Sequence, residues 1–188
     1  MKVSGFTFIR NAVKFDYPVL ESIRSVLPLC DEFIVMAGNS EDSTDDLLRE
    51  IKSEKLKIFP SIWDDSLREG GRVLAQETDK ALEMVSPDSD WAFYIQADEV
   101  LHEKHQNEVL EQMRRWKDHK EVEGLLFQYV HFYGSYDFIG DSRKWYRNEV
   151  RIIRPGIGVK SYRDAQGFRI QNRPLRVKPA HAAIFHYG

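Results

Sequence analysis

A single cysteine, Cys30, stands in the 188 residues. It excludes an internal disulfide and any cysteine-based zinc site, and it fits a reducing compartment. No apolar run approaches the ~20 residues that a membrane-spanning helix needs. A strand-like run starts almost at the first residue, so no leader is expected and the cytoplasm is the expected location. No internal repeat, low-complexity tract or linker interrupts the chain. No glycine-rich loop follows the first strand-like run, which weighs against a phosphate cradle of that kind. What remains is ordinary globular composition, 42% hydrophobic and 30% charged. That is enough for one domain with a substantial core.

The net charge of −3 hides an asymmetry. Residues 143–188 carry eleven Lys or Arg against only Glu149 and Asp164, leaving sixteen basic and twenty-eight acidic groups for residues 1–142. Such a segment suggests an anionic partner: ligand phosphates, an anionic lipid surface or nucleic acid. A basic face paired with the acidic body explains it equally well.

Periodicity alternates between strand and helix through the first hundred residues. Val3 to Ile9 reads as a strand. Asp16 is a candidate N-cap with Pro18 in the first turn, and Leu20, Ile23, Val26 and Leu27 form one helical face. Glu32 to Ala37 is a second strand, and Thr44-Asp45-Asp46 opens a second helix. Leu56 to Ile62 is a third strand, broken or pushed to an edge by Pro60. After Gly70-Gly71 comes a helix with Leu74, Ala81, Leu82 and Val85 on one face. Three strand–helix units imply parallel pairing with right-handed crossovers. Glu108 to Trp116 is a further helix. Beyond it the pattern becomes mixed: Gly124 to Tyr133, Val150 to Ile153, Leu175 to Val177 and Ala182 to Tyr187 are strand-like.

The most informative stretch is Asp90-Trp91-Ala92-Phe93-Tyr94-Ile95-Gln96-Ala97-Asp98-Glu99. It is a buried strand that ends in two carboxylates, at the end of a sheet where α/β proteins bind ligands. Acidic turn residues are also common, and Glu99 reads as a cap for the next element.

Four segments, in order, resemble the family 2 glycosyltransferases of the GT-A, nucleotide-diphospho-sugar transferase fold. Phe8-Ile9-Arg10-Asn11 resembles the opening segment beside the nucleotide. Residues 31–44, Asp-Glu-Phe-Ile-Val-Met-Ala-Gly-Asn-Ser-Glu-Asp-Ser-Thr, resemble the pattern D-E-I-I-V-V-D-T-G-S-T-D-G-T. The 90–99 stretch resembles the metal-binding Asp-x-Asp strand, and Phe185-His186-Tyr187-Gly188 a terminal His-Tyr-Gly of bacterial members. Two departures stand out. Ala37 replaces the Asp that recognises the base, and Gln96 replaces the first Asp of Asp-x-Asp.

The resemblance implies an α/β GT-A fold: a Rossmann-like, mostly parallel central sheet flanked by helices, with a more irregular α+β C-terminal half. Residues 1–188 would be one domain, 1–100 nucleotide-binding and 101–188 an acceptor or closing half, with family members continuing beyond Gly188. The implied activity is metal-dependent, inverting transfer of a sugar from a nucleotide-sugar to a hydroxyl of a saccharide or lipid-linked saccharide. The setting would be cell-surface polysaccharide synthesis, with no nucleic-acid partner and with peripheral membrane association. Asp98 and His186 would hold Mn²⁺ or Mg²⁺, imidazole favouring Mn²⁺. Asp164 is the expected general base and Glu149 the second choice. Phe8, Arg10, Asn11, Ala37, Gly38, Asn39, Trp63, Arg72, Gln76, Gln96 and Ala97 are the expected donor-binding residues. Arg176 and Lys178 are further diphosphate candidates, and Tyr133, Tyr136, Trp145 and Tyr146 a candidate sugar platform. Two alternatives stay open: a non-catalytic nucleotide- or sugar-binding module, and a nucleotidyltransferase of similar fold.

Overall fold

The strand-like runs Val3–Ile9, Glu32–Gly38 and Trp91–Tyr94 are buried on both faces, and such strands need cover on both sides. A computed structural model, describing residues 1–67 and 69–188, shows how that cover is supplied. In chain order the elements are β1 (Val3–Ile9), α1 (Val19–Val26), β2 (Glu32–Gly38), α2 (Thr44–Arg49), β3 (Leu56–Ser61), α3 (Arg72–Glu83), β4 (Trp91–Tyr94) and β5 (Glu99–Leu101). They continue with α4 (Gln106–Trp116), β6 (Gly124–Tyr133), β7 (Ser135–Ile139), β8 (Asn148–Ile153), β9 (Val159–Tyr162), β10 (Gly167–Ile170), β11 (Arg173–Pro174) and β12 (Val177–His186).

The main sheet runs β3-β2-β1-β4-β8-β6-β12-β5, with β7 paired to β6. Pairing is parallel across β3, β2, β1 and β4. β8 then enters antiparallel between β4 and β6, and β12 runs parallel to β6 and antiparallel to β5. A small antiparallel sheet, β11-β10-β9, stands apart. Alternate residues of the central strands feed two cores. Phe33, Val35, Trp91 and Phe93 join α1, α2 and α4 through Ile23, Leu48 and Val109. Ile34, Met36, Ala92 and Tyr94 join α3 and the small sheet through Ala81, Phe168 and Ile170.

Two local expectations change and two are met. Asp16 does not cap α1; Pro18 holds that position, and Asp16 is left-handed at φ 55°. Pro60 lies within β3 at the sheet edge, the second of the two outcomes expected of it, where a missing donor costs nothing on the open side. Leu74, Ala81, Leu82 and Val85 share one core as expected, Leu74 and Leu82 partly buried, and Val73, Glu77 and Thr78 of α3 are buried as well. The two closing strands are one, β12, with a register shift between Pro179 and Ala183. That bulge carries the exposed His181 at φ 52°.

The basic C-terminal segment is partly neutralised from within. Arg151 is buried against Glu99, Arg154 donates to the carbonyls of Val122, Trp116, Lys117 and His119, and Lys160 pairs with Glu83 and Asp79. Glu123, nearly buried, accepts from Arg173 at 2.7 and 2.8 Å and from Arg176 at 2.7 Å. Arg176 is therefore held by a carboxylate, and Lys178 lies over the Trp116 ring. Bonds from Arg173, then from the backbone and side chain of Arg176, hold the Glu123 carboxyl far below its ordinary value against the effect of burial. A depressed carboxyl stabilises the fold above its unfolded value near 4.5 and loses that contribution as the pH falls. Glu123→Gln should therefore cost about 1–2 kcal/mol at pH 7, since the arginines are solvent-screened. Thermal melts should show the deficit shrinking towards pH 3. An undiminished deficit at low pH would assign the loss to packing.

Candidate functional site

β4 delivers the chain to a tight turn, Ile95–Asp98, and β5 begins at Glu99. The turn is fixed at both ends. Ser22 Oγ of α1 donates to the Gln96 carbonyl at 2.7 Å, and the Gln96 amide donates to Glu99 Oε2 at 3.1 Å. Glu99 does far more than cap the next element. It is fully buried and takes two bonds from Arg151, at 2.7 and 2.9 Å, and one from the Tyr129 hydroxyl at 2.7 Å. Arg151 also donates to the Gln166 carbonyl at 2.9 Å. Burial opposes the Glu99 charge, but the Arg151 guanidinium outweighs it and the carboxyl stays below its ordinary value. The Gln96 amide oxygen lies 3.5 Å from Arg151. A carboxylate at 96 would add a second acid against one guanidinium and beside the Glu99 and Asp98 charges, which gives the Gln96 departure a physical reason.

Asp98 has the opposite character. Burial, then the neighbouring Glu99 charge, push its carboxyl up to about 7. Its Oδ2 faces His186 Nε2 at 3.6 Å. β12 places that imidazole: His186 is in register with His131 of β6 and with Glu99 of β5, and the Tyr187 amide donates to the Asp98 carbonyl at 2.8 Å. A side chain at Gly188 would collide with the Asp98 carboxylate.

The partners decide the tautomers. His131 Nε2 lies 2.7 Å from the Tyr146 carbonyl, which only accepts, so Nε2 carries the proton. In the neutral ring His131 Nδ1 is then an acceptor, and His186 Nδ1, 3.3 Å away, donates to it. Burial lowers both histidines, keeping the rings neutral near pH 7. His186 Nε2 is left with a lone pair aimed at a carboxylate oxygen. Two acceptors facing each other need a cation or a proton between them, and the hydrogen-bond chain through His131 to Tyr146 orients the imidazole as metal sites require. Asp98 and His186 fit a sparse divalent site. No cluster of three or more acidic, His or Cys ligands exists among the described residues, so other ligands would come from substrate and water.

A cleft of about 500 Å³ opens beside this pair. Phe8, Arg10, Asn11, Trp63, Gln96, Ala97 and Asp98 line it, joined by Val73 and Leu74 of α3. Trp63 meets Phe8 edge-on at 5.7 Å, with Arg10 over its ring at 5.3 Å. Arg10 is aligned by Asp65 at 3.0 Å, while its Nε and the Trp63 Nε1 are buried donors without partners among the described residues. Asn11, at φ 55°, braces the wall by accepting from the Glu41 amide at 2.7 Å.

Other expected residues lie elsewhere. Ala37, Gly38 and Asn39 line an adjoining cavity of about 570 Å³ between α2 and β3. Gly38 still matters to the cleft, because a side chain there would strike the Trp63 indole nitrogen. Arg72 and Gln76 belong to α3 and do not line the cleft. Glu149 faces the small sheet and accepts from Gln166 at 3.0 Å; burial raises its carboxyl. Asp164 is exposed in the β9–β10 turn and packs against Gly71, where α3 begins. Tyr146 is half-buried against Tyr129 and His131, whereas Tyr133 and Tyr136 are exposed.

His131, Tyr129 and Arg151 adjoin the Asp98–Glu99–His186 group, and sequence reasoning missed them. Arg151 carries a signal: an arginine between Val150 and Ile152 in an apolar strand must have a buried partner. His131 carries none, since its meeting with His186 depends on strand order.

No family model and no curated protein matches the sequence. Solved structures do. Residues 1–349 of Staphylococcus aureus TarS match over 100% of this chain and 60% of that one, with 16% identity and a TM-score of 0.60. The same protein in complex with UDP matches over 95% and 60%, with 16% identity and a TM-score of 0.55. A 4-diphosphocytidyl-2C-methyl-D-erythritol synthase from Anaerococcus prevotii matches over 96% and 89%, with 13% identity and a TM-score of 0.54. The present chain thus spans under two thirds of the TarS chain. The fold expected from the four ordered segments is the one found: the chain has the GT-A, nucleotide-diphospho-sugar transferase fold.

Proposed function

We propose that this protein is a metal-dependent glycosyltransferase that takes a sugar from a nucleotide-sugar and passes it, with inversion, to an acceptor hydroxyl. The observation that carries the reading is the lone pair of His186 facing the Asp98 carboxylate at 3.6 Å, at the mouth of a cleft with two buried donors that have no partner among the described residues. A bound divalent cation would neutralise the leaving diphosphate. The chain's own residues do the rest. Phe8 and Trp63 pack against the base, Arg10 offers its free Nε to an acceptor atom of the donor, and Gln96 and Ala97 form the floor. The general base in this reading is Asp164, which lies outside the cleft lining but against Gly71, at the start of the helix whose Val73 and Leu74 line the cleft. Residues 1–188 act as one unit in this reading, with the β12 end completing the donor site.

Ala37 cannot accept a proton from a base, so base selection falls to Arg10, Trp63 and backbone. The binding-module alternative draws on that departure and on Gln96. A nucleotidyltransferase has less support, because Arg10-Asn11-Ala12 is not a glycine-rich cradle. The deciding measurement pairs thermal shift with turnover over a panel of nucleotides and nucleotide-sugars, with and without Mn²⁺. The proposal expects Mn²⁺-dependent stabilisation by a nucleoside diphosphate and turnover of at least one donor. Asp164→Asn should lower kcat by roughly 10²–10⁴-fold while nucleotide binding is kept. Binding without turnover would favour the module, and no response to any nucleotide would reject both.

A further inference from the structure

A second concave surface lies on the far side of the histidines. β6 and β7 form a hairpin whose Tyr133, Tyr136, Phe138 and Ile139 are 61–78% exposed. Trp145 folds back against it. Its ring lies on Gly140, where an added Cβ would come within 2.5–2.9 Å of the indole. Two cavities, about 590 and 370 Å³, share Trp145 as a wall. Tyr133 stands on one side, at 6.0 Å and 65° to the indole. His131 stands on the other, at 4.9 Å and 32°. His131 in turn contacts His186 at 3.3 Å, so two ring-to-ring steps join the hairpin to the Asp98 pair.

We infer that the Tyr133–Trp145 corner is a subsite for a neutral saccharide, the acceptor glycan of the reaction proposed above, on which this inference rests. A pyranose presents a C–H face that packs on an aromatic ring and an equatorial fringe of hydroxyls. Trp145 and Tyr133 supply two such rings at an angle, and the Asp141 carboxylate and Ser142 hydroxyl line the same cavity. The larger cavity is within the range of small-ligand sites. The polar lining beside the two rings, Asp141 and Ser142, suits a polyhydroxylated ligand better than an acyl chain. Continuity with the Asp98 pair distinguishes this surface from a contact between copies.

The test uses saturation-transfer NMR and intrinsic fluorescence with chitotriose, cellotriose and maltotriose as probes, without donor. The inference expects at least one to bind wild type. It expects the dissociation constant to rise about tenfold or more in Trp145→Ala, with partial recovery in Trp145→Phe. Gly140→Ala, which displaces the ring without removing it, should weaken binding in the same direction. Nucleotide-dependent thermal shift should be unchanged in all three variants, which also certifies their folding. Saccharide binding without any nucleotide response would sink the glycosyltransferase reading and leave the subsite standing. The subsite is overturned if no probe binds or if Trp145→Ala binds as wild type does. It is equally overturned if Phe138→Ser abolishes sedimentation with phosphatidylglycerol vesicles, or if it changes the oligomeric state.

Discussion

Asp98→Asn should abolish Mn²⁺-dependent nucleotide stabilisation and lower transfer by roughly 10³-fold, while making the metal-free protein more stable at pH 8. The two effects have one origin. The Asp98 carboxyl is raised to about 7, first by burial and then by the charge on Glu99. An acid raised in the folded state costs stability as the pH climbs from its unfolded value near 4 through 7, because the fold must then hold an unwelcome charge. At roughly 1.4 kcal/mol per tenfold in the proton equilibrium, the cost at pH 8 is at most about 4 kcal/mol. Asparagine removes the charge and keeps the shape, so the melting temperature should rise roughly 3–10 °C at pH 8. It should change little at pH 4.5, where wild-type Asp98 is protonated. The same proton competes with the cation, so wild-type Mn²⁺ affinity should fall about tenfold per pH unit below 7. Titration by calorimetry at pH 6, 7 and 8 reads this directly. A flat profile, or an Asp98→Asn variant less stable than wild type at pH 8, would remove Asp98 from the site.

Arg151→Met should be the most damaging single change in the molecule, at about 3–5 kcal/mol, because it strands Glu99 in the core without its counter-charge. Both side chains are fully buried, and Glu99 also holds Tyr129 and the Gln96 amide. The double variant Glu99→Gln, Arg151→Met should recover much of the loss, since replacing a buried pair by neutral groups is often close to neutral. It should not recover function. Gln96 would lose its tether to residue 151, and the Ile95–Asp98 turn would lose its carboxylate anchor. Denaturant melts and Mn²⁺-dependent nucleotide shifts on the two single variants and the double one form the cycle. Restored stability with a restored nucleotide response would show that the pair only supports the fold.

The parallel half of the sheet was legible because its physics is local. Val3–Ile9, Glu32–Gly38 and Trp91–Tyr94 are strands buried on both faces, and each announces itself by continuous apolar and aromatic character. Asp98 and His186 were legible only through resemblance. Nothing local says that a carboxylate at 98 and an imidazole at 186 lie 3.6 Å apart. The Glu99–Arg151 pair was half legible, through an arginine in an apolar strand. Asp16 misled because Pro18 supplies its own fixed φ and takes the helix start. Ala37 and Asn39 were expected at the donor site from the motif, yet they line the neighbouring cavity between α2 and β3.

The register shift in β12 also restricts how long that strand can be. Between Pro179 and Ala183 the strand advances four residues while β6 advances two, from Leu126 to Gln128. The excess is even, so every side chain beyond it keeps its face, and His186 still meets His131. A strand alternates with period two, so an odd change of length in 180–182 would turn His186 away and present Phe185 or Tyr187 in its place. Ala180 and Ala182 of this bulge are buried in the core and only His181 is exposed, so a single insertion or deletion there should damage the site more than a paired one that keeps the parity. That parity rule would be written into natural length variation far from the residues it protects.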